Sequence, residues 1–281
     1  MTTLRERNAL LVYFVIACVP PWIGWSLVVF GFIPEGSPFS GPIFLTGESV
    51  SVAGLFATFC AQGRAGVVRL LRDALRVKVP VHWWLFAFLV PLLSISSAGV
   101  LYLTLHNQPV VFKPSALLLL GTPGLLIPFL FGPLGEEFGW RGFLLPRFVE
   151  RFSAVPACFF VGILWALWHW ALFYKAIAKS PAEELFFLLA NVISLSFLVG
   201  TVYLRTNSLV LAMIAHWSSN AAQTLVGVML PGLPGDILNV TSFKWCVVVA
   251  LGVAAAITIP LLRVGVPYGT SPQRKYARSV C

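Results

Sequence analysis

Three ionisable residues stand together in an otherwise apolar stretch, within residues 135–141 (GEEFGWR). A charged side chain at membrane depth costs about 2.5 to 3.5 kcal/mol on insertion scales, so a chain that keeps several of them usually has a use for them. On a helix Glu137 and Arg141 are four residues apart on one face, and we predict that they pair. Glu136 points about 100° away from that face. It lacks this partner and is the candidate base.

Two later segments carry further polar groups. Trp165 lies one helical turn before His169, and His216 lies one turn before Asn220. If the chain turns around residues 151–154, Glu136 and His169 are each 15 residues from the turn, so antiparallel helices place them at about the same level. We therefore predict that groups from three helices converge at buried depth.

These groups could hydrolyse a peptide bond. Glu136 would take a proton from water that His169 helps to hold, while His216 and Asn220 would donate to the developing oxyanion. Zinc bound by Glu136, His169 and His216 is the alternative. The sequence favours a site without a cofactor, because it contains no His-Glu-x-x-His helix and Asn is a poor zinc ligand.

Other uses of the same groups stay open. Buried His, Asn and a Glu-Arg pair can simply join helices, as in a non-enzymatic membrane scaffold. A proton-coupled transporter also needs buried Glu and His, but the two halves of the chain show no convincing inverted repeat. Glu48 and Asn191 are expected to be hydrogen-bonded polar residues within the bundle.

The composition indicates an integral membrane protein. Of the 281 residues, 58% are hydrophobic and 10% are charged, in apolar runs near the length that crosses a bilayer as a helix. The net charge of +9 arises largely from short loops between these runs, which argues against a nucleic-acid partner. The five cysteines form no metal-binding or redox spacing. We predict one domain over residues 1–281, an all-α polytopic bundle.

About eight spans are predicted, with both ends in the cytoplasm because this arrangement places 15 of the 19 Lys and Arg residues inside. Residues 64–78 are expected to form a basic amphipathic helix on the inner leaflet. The fourth apolar segment is too long for one straight crossing, and breaks are predicted at 121–124 and 132–133. The predicted spans are 9–32, 43–62, 81–105, 115–150, 154–174, 184–204, 208–229 and 245–262.

Four glycines around the Glu136 segment follow helical spacing: Gly132, Gly135, Gly139 and Gly142. A stripe of small residues allows the backbone of a neighbouring helix to approach closely. We therefore expect another helix to pack tightly beside Glu136.

The three motifs resemble those of the CAAX protease and bacteriocin-processing family of intramembrane endopeptidases, which also includes abortive-infection proteins. The ordered set covers roughly residues 116–222. The family's Glu-Glu-x-x-x-Arg is found at Glu136 to Arg141, its Phe-x-x-x-His at Trp165 to His169 with Trp in place of Phe, and its His-x-x-x-Asn at His216 to Asn220.

The resemblance implies an eight-helix protease of the glutamic type. Glu136 and His169 would activate water, and His216 and Asn220 would stabilise the oxyanion. Trp165 would pack beside the His169 ring as structural support, and its replacement of Phe would reshape the substrate pocket. The implied partners are the bilayer and a membrane-bound peptide or protein, with or without a lipid, since eukaryotic relatives act on prenylated CAAX proteins. The implied location is a bacterial-type cytoplasmic (inner) membrane. Some relatives are linked to bacteriocin immunity, so a non-enzymatic immunity protein is the alternative function.

Overall fold

Helices make up the regular structure of residues 4–34 and 36–263, which are the residues described by the computed structural model, and no strand occurs among them. The predicted all-α polytopic bundle is confirmed. Its helices are α1 (Leu4–Val29), α2 (Ser40–Phe44), α3 (Ser49–Ala74), α4 (Val81–Leu105), α5 (Pro123–Leu130), α6 (Pro133–Glu137), α7 (Leu145–Phe152), α8 (Ala154–Trp168), α9 (Trp170–Lys179), α10 (Pro181–Thr206), α11 (Leu209–Met229) and α12 (Thr241–Arg263), with 3₁₀ helices at Leu45–Glu48, Pro114–Gly121 and Ile237–Asn239 and a π-helix at Phe138–Leu144.

Within the described residues, five helices are long and apolar enough to cross a membrane, or up to seven if each of two bent pairs counts as one span. The predicted count of eight is therefore not confirmed. The segment predicted as the seventh span forms α11, which is not among the five helices or the two bent pairs. The basic tail after Arg263 lies outside the described residues, so the cytoplasmic placement of both ends stays a prediction.

The outer faces of the long helices are apolar. On α1 the exposed residues Leu11, Val15, Val19 and Ile23 recur every four residues and form one stripe. A continuous exposed apolar stripe would be unfavourable in water, whereas lipid is its natural surrounding. This arrangement supports a bundle whose polar groups face inward.

The long apolar segment before residue 150 is divided where the sequence predicted. A 3₁₀ helix ends at Gly121 and α5 begins at Pro123, with a bend of 54° across this break. A second break follows, because α5 ends at Leu130 and α6 begins at Pro133. Proline lacks the N–H that would continue a helix and is well suited to the first helical turn, which accounts for both starts.

Two other expectations changed. The predicted span at 154–174 is bent, because α8 and α9 meet at an angle of 74° at His169, which the sequence analysis did not predict. The basic stretch after residue 63 is helical as predicted, but only to Ala74 and as a continuation of α3 beyond a kink at Gly63, where φ is +65°. Its position on a leaflet stays a prediction.

The glycine stripe brings α3 against the π-helix, as predicted. A Cβ added to Gly54 of α3 would lie 2.6 Å from the Phe138 carbonyl oxygen and 2.7 Å from the Gly139 Cα. A Cβ on Gly139 would in turn collide with the Val50 carbonyl. Backbone therefore meets backbone at this crossing, and no side chain could move aside to make room.

We predict that Gly54→Ala lowers the free energy of unfolding by about 1–3 kcal/mol, because overpacking at this crossing forces the backbones apart. The matched control is Gly252→Ala on α12, where an added Cβ meets nothing within 4 Å and helix propensity favours Ala. Thermal unfolding of both variants in the same detergent measures the difference. Equal stability of the two would contradict the tight crossing.

Candidate active site

Glu137 is the centre of a buried polar cluster. Its Oε1 accepts hydrogen bonds from Arg141 Nη1 at 2.9 Å and from His216 Nδ1 at 2.8 Å. The Glu137 and Arg141 side chains are fully buried, and His216 is 4% exposed. The predicted Glu137–Arg141 pair is confirmed, whereas the bond to His216 was not predicted. This bond connects the end of α6 to α11.

Glu136 faces a different direction, as its position on the helix predicted. Its Oε2 accepts a hydrogen bond from the Trp165 indole Nε1–H at 2.6 Å, and the residue is 7% exposed. A hydrogen bond to a carboxylate is stronger than one between neutral groups and fixes its orientation. The Glu136 carboxylate is therefore held by an uncharged donor, while the Glu137 carboxylate pairs with the buried Arg141 cation.

Trp165 does more than the packing that the sequence suggested. Its indole donates to Glu136, the Arg141 guanidinium lies 4.3 Å from its ring centroid, and the His216 ring meets it edge-on at 4.9 Å. The centroid of His169 is farther away, at 6.1 Å. The sequence feature that could have indicated this bond is the Trp residue itself, because its indole has an N–H donor that Phe lacks. Trp165 thus bonds to Glu136 directly and contacts Arg141 and His216, the two partners of Glu137.

His169 lies at the bend between α8 and α9. Its Nδ1 is 2.9 Å from the carbonyl oxygen of Trp165. A carbonyl only accepts, so the imidazole donates from Nδ1, and in the neutral ring Nε2 keeps its lone pair for an incoming proton donor. Within the described residues no hydrogen bond joins His169 to Glu136, although the two are close enough to interact electrostatically.

Glu136, His169, His216 and Asn220 all line one cavity of about 690 Å³. Asn220 is partly buried, and its Nδ2 would be 3.7 Å from a Cβ on Gly132, at the break before α6. Because α6, the α8–α9 bend and α11 supply these groups, the structure brings together the residues that the three motifs singled out. Much of the remaining wall is apolar, with contributions from Trp25, Phe173, Leu188, Val192 and Val247.

Two polar residues that the sequence analysis took as satisfied also line this cavity. The buried Asn191 Oδ1 atom has no hydrogen-bond partner within the part of the chain that the structure describes, so that expectation is wrong for this atom. In the described part of the chain, no hydrogen bond or ion pair involves the side chain of Glu48. No sequence pattern indicated that Glu48 lines the cavity, because it lies far from the three motifs.

The zinc alternative requires Glu136, His169 and His216 to converge as ligands. In residues 4–34 and 36–263 no three His, Cys, Asp or Glu side chains are gathered closely enough to hold a metal ion. One Glu136 oxygen accepts from Trp165, and His216 Nδ1 donates to Glu137. These bonds leave His216 Nε2 and Glu136 Oε1 for other partners, so the choice between a cofactor-free site and zinc stays a prediction.

We predict that Arg141→Met destabilises the protein by about 3–5 kcal/mol, because it leaves the Glu137 carboxylate buried without its cation. Lys244→Met is the matched control. It breaks a more exposed ion pair with Glu184 and should cost about 0–1 kcal/mol. Unfolding in detergent compares the two, and adding Glu137→Gln to Arg141→Met should recover part of the loss. Similar costs for Arg141→Met and Lys244→Met would contradict the central role of the cluster.

Comparison with known proteins agrees with this arrangement. Residues 117–222, which contain all four cavity residues of the motifs, match the family model described as type II CAAX prenyl endopeptidase Rce1-like. The chain is also 30% identical over 101 residues to a protein named CAAX prenyl protease 2 from Methanococcus maripaludis. The alignment covers 33% of this chain and 37% of that relative, so the chain matches little more than a third of the relative's length. Residues 117–222 are thus similar to a CAAX prenyl endopeptidase domain, and the chain that carries them is an integral multi-pass membrane protein.

Proposed function

We propose that this protein is an intramembrane endopeptidase that hydrolyses a peptide bond with a water molecule activated by Glu136. The observation that carries the proposal is that Glu136, His169, His216 and Asn220 line one cavity, with the two glutamates of the first motif separated into different partnerships. Glu137 is occupied by Arg141 and His216. Glu136 keeps one oxygen, Oε1, for a substrate or a water.

In the proposed reaction, water binds between Glu136 and His169. The Glu136 carboxylate removes a proton as the water oxygen attacks the peptide carbonyl, and His169 Nε2 accepts the water's other hydrogen to hold it in line. The proton then passes from Glu136 to the leaving amine as the C–N bond breaks. Trp165 keeps the carboxylate pointed into the cavity throughout.

His216 and Asn220 are the proposed donors to the tetrahedral oxyanion. The Asn220 side-chain amide supplies one N–H. His216 donates from Nδ1 to Glu137, so donation from Nε2 as well requires the imidazolium, for which the Glu137 carboxylate is the counterion. The cluster around Glu137 would therefore both hold the site together and stabilise the charge on the oxyanion.

A membrane-bound peptide or protein substrate, with or without a lipid, suits this cavity because its wall combines apolar residues with a small set of polar ones. The name of the archaeal relative and the description of the family model both point to prenylated C-terminal CAAX sequences. Prenylated peptides are therefore the first substrates to test. We keep the bacterial-type cytoplasmic membrane as the expected location.

Replacing Glu136 by Gln removes the base and keeps the shape of the side chain. We expect kcat for a prenylated CAAX peptide in proteoliposomes to fall by about 10²- to 10⁴-fold, the usual contribution of a general base. Cleavage is measured by mass spectrometry of the released peptide. The thermal unfolding midpoint should change little, since Gln still accepts from Trp165.

Glu183→Gln is the matched control, because Glu183 does not line the cavity. Full activity of the Glu136→Gln variant would overturn the proposed base. Loss of wild-type activity on chelation, with recovery on adding zinc, would favour the metal alternative. A Glu136→Gln variant that keeps the biological effect of the protein would favour the scaffold or immunity function.

Trp165→Phe restores the residue of the family motif but removes the indole N–H that donates to Glu136. We expect kcat to fall by about 10- to 100-fold, because a hydrogen bond to a charged group contributes about 1.5–3 kcal/mol. Trp217→Phe is the control, since it removes an indole bond of 2.7 Å to the Leu125 carbonyl and leaves Glu136 untouched. Unchanged kcat in Trp165→Phe would show that Trp165 only fills space.

A further inference from the structure

Ser219 is a buried polar residue of the cavity wall that the proposed reaction does not use. The residue is 1% exposed, lines the cavity, and its Oγ atom finds no hydrogen-bond partner among the residues that the structure describes. It lies on α11 three residues after His216 and directly before Asn220. Ser219 therefore stands next to the two proposed oxyanion donors, at a position that the motif leaves open.

The Ser219 hydroxyl is unpaired although its own helix offers a partner. A serine or threonine inside a helix can donate to the carbonyl four residues earlier, and Ser94 and Thr206 do so in this chain. The adjacent Ser218 donates instead to the Phe88 carbonyl of α4 at 2.5 Å. In the described part of the chain Ser219 makes neither kind of bond, so its hydroxyl is available to a molecule in the cavity.

Asn191 is in the same condition on α10. Its Oδ1 atom is buried and without a hydrogen-bond partner within residues 4–34 and 36–263, and the residue lines the same cavity. The α10 residues around it that also line the cavity are apolar, namely Leu188, Val192 and Leu195. Leaving a buried polar atom unpaired costs free energy, so Ser219 and Asn191 both carry a cost that a bound partner would remove.

The two groups lie on helices that form a hairpin and pack against each other. α10 ends at Thr206, Asn207 follows with φ of +52°, and α11 begins at Leu209. Ser219 is 12 residues after Asn207, and Asn191 is 16 residues before it. This difference of four residues is about 6 Å along antiparallel helices, close to the roughly 7 Å that two residues of an extended peptide span. One extended chain can therefore reach both groups.

A peptide that is cut at membrane depth needs such groups. Its scissile bond is accessible only where the chain is extended, and an extended backbone in an apolar surrounding must find partners for its N–H and C=O groups. An Asn side chain has an acceptor oxygen and two N–H donors, and a Ser hydroxyl both donates and accepts. A prenyl chain or an aliphatic side chain offers neither donors nor acceptors, so the main chain of the substrate is the matching partner.

We propose that Ser219 and Asn191 bind the main chain of the extended peptide substrate on one side of the scissile bond. This inference rests on the proposed function and adds the residues that hold the peptide in place. Ser219 has no hydrogen bond to a histidine in the described part of the chain, so no base activates it and it is a binding residue rather than a nucleophile.

Thermal unfolding separates this binding role from a structural one. We expect Ser219→Ala and Asn191→Leu to keep or raise the unfolding midpoint in detergent, because each removes a buried polar atom that the protein leaves unpaired. Ser218→Ala is the matched control on the neighbouring residue. It should lower the midpoint, because it removes the hydrogen bond to the Phe88 carbonyl.

Kinetics in proteoliposomes tests the binding role. For the prenylated CAAX peptide, Ser219→Ala and Asn191→Leu should each raise KM about 3- to 10-fold and keep kcat within about threefold, because the lost bonds hold substrate and transition state alike. Ser218→Ala should leave KM unchanged. An unchanged KM in both variants would show that the two groups hold only resident water, and would overturn the proposal.

A change in the substrate identifies the main chain as the partner. Peptides in which one non-scissile amide is replaced by an ester lack a single N–H. At one position we expect the ester to raise KM of the wild type about 3- to 10-fold and to have little further effect in Asn191→Leu, because the same hydrogen bond is lost only once. Ester effects that are equal in wild type and Asn191→Leu at every position would contradict recognition of the main chain by Asn191.

Binding to the Glu136→Gln variant keeps this inference separate from the proposed function. Fluorescence anisotropy of the labelled peptide with this variant in nanodiscs gives a Kd that does not depend on cleavage. Adding Asn191→Leu or Ser219→Ala should raise this Kd about 3- to 10-fold. If the wild type cleaves no peptide, the proposed function fails and this Kd alone decides; no binding, or an unchanged Kd in both double variants, would overturn the main-chain site.

Discussion

The burial of Arg141 is the constraint on which the rest of the site depends. A guanidinium with no exposed surface must find a counterion, and Glu137 is that counterion one helical turn away. Among residues 4–34 and 36–263, Glu137 Oε2 and two of the Arg141 nitrogens find no hydrogen-bond partner, so hydrogen bonds alone satisfy the pair incompletely. The Trp165 ring beneath the guanidinium and the His216 N–H on the carboxylate supply the remaining stabilisation. Stabilising this one buried cation therefore requires contacts from three separate parts of the chain.

The helix that carries the two glutamates is shaped to meet this constraint. It begins at Pro133, passes into a π-helix at Phe138 and returns to α-helix at Leu145. A π-helix is a rare conformation that is found frequently at functional sites. Here its glycine face allows α3 to approach at backbone distance, which a larger side chain at Gly54 or Gly139 would prevent. Close backbone packing holds the first motif in place without adding polar groups.

Much of this arrangement can be predicted from local patterns in the sequence. The spacing of four residues predicted the Glu137–Arg141 pair, the glycine period predicted the close crossing, and Gly-Pro positions predicted the two breaks before Glu136. Each depends on residues within one or two helical turns. The bend at His169 was missed, because the sequence there is apolar and contains neither proline nor glycine. Contacts between distant segments were missed for a different reason, since no local periodicity relates His216 to Glu137.

Trp165 shows how one replacement in a motif can alter chemistry as well as packing. The family motif has Phe at this position, and a phenyl ring could stack beneath Arg141 but could not donate to Glu136. In this chain the indole does both, so the orientation of the proposed base depends on the same side chain that stabilises the buried cation.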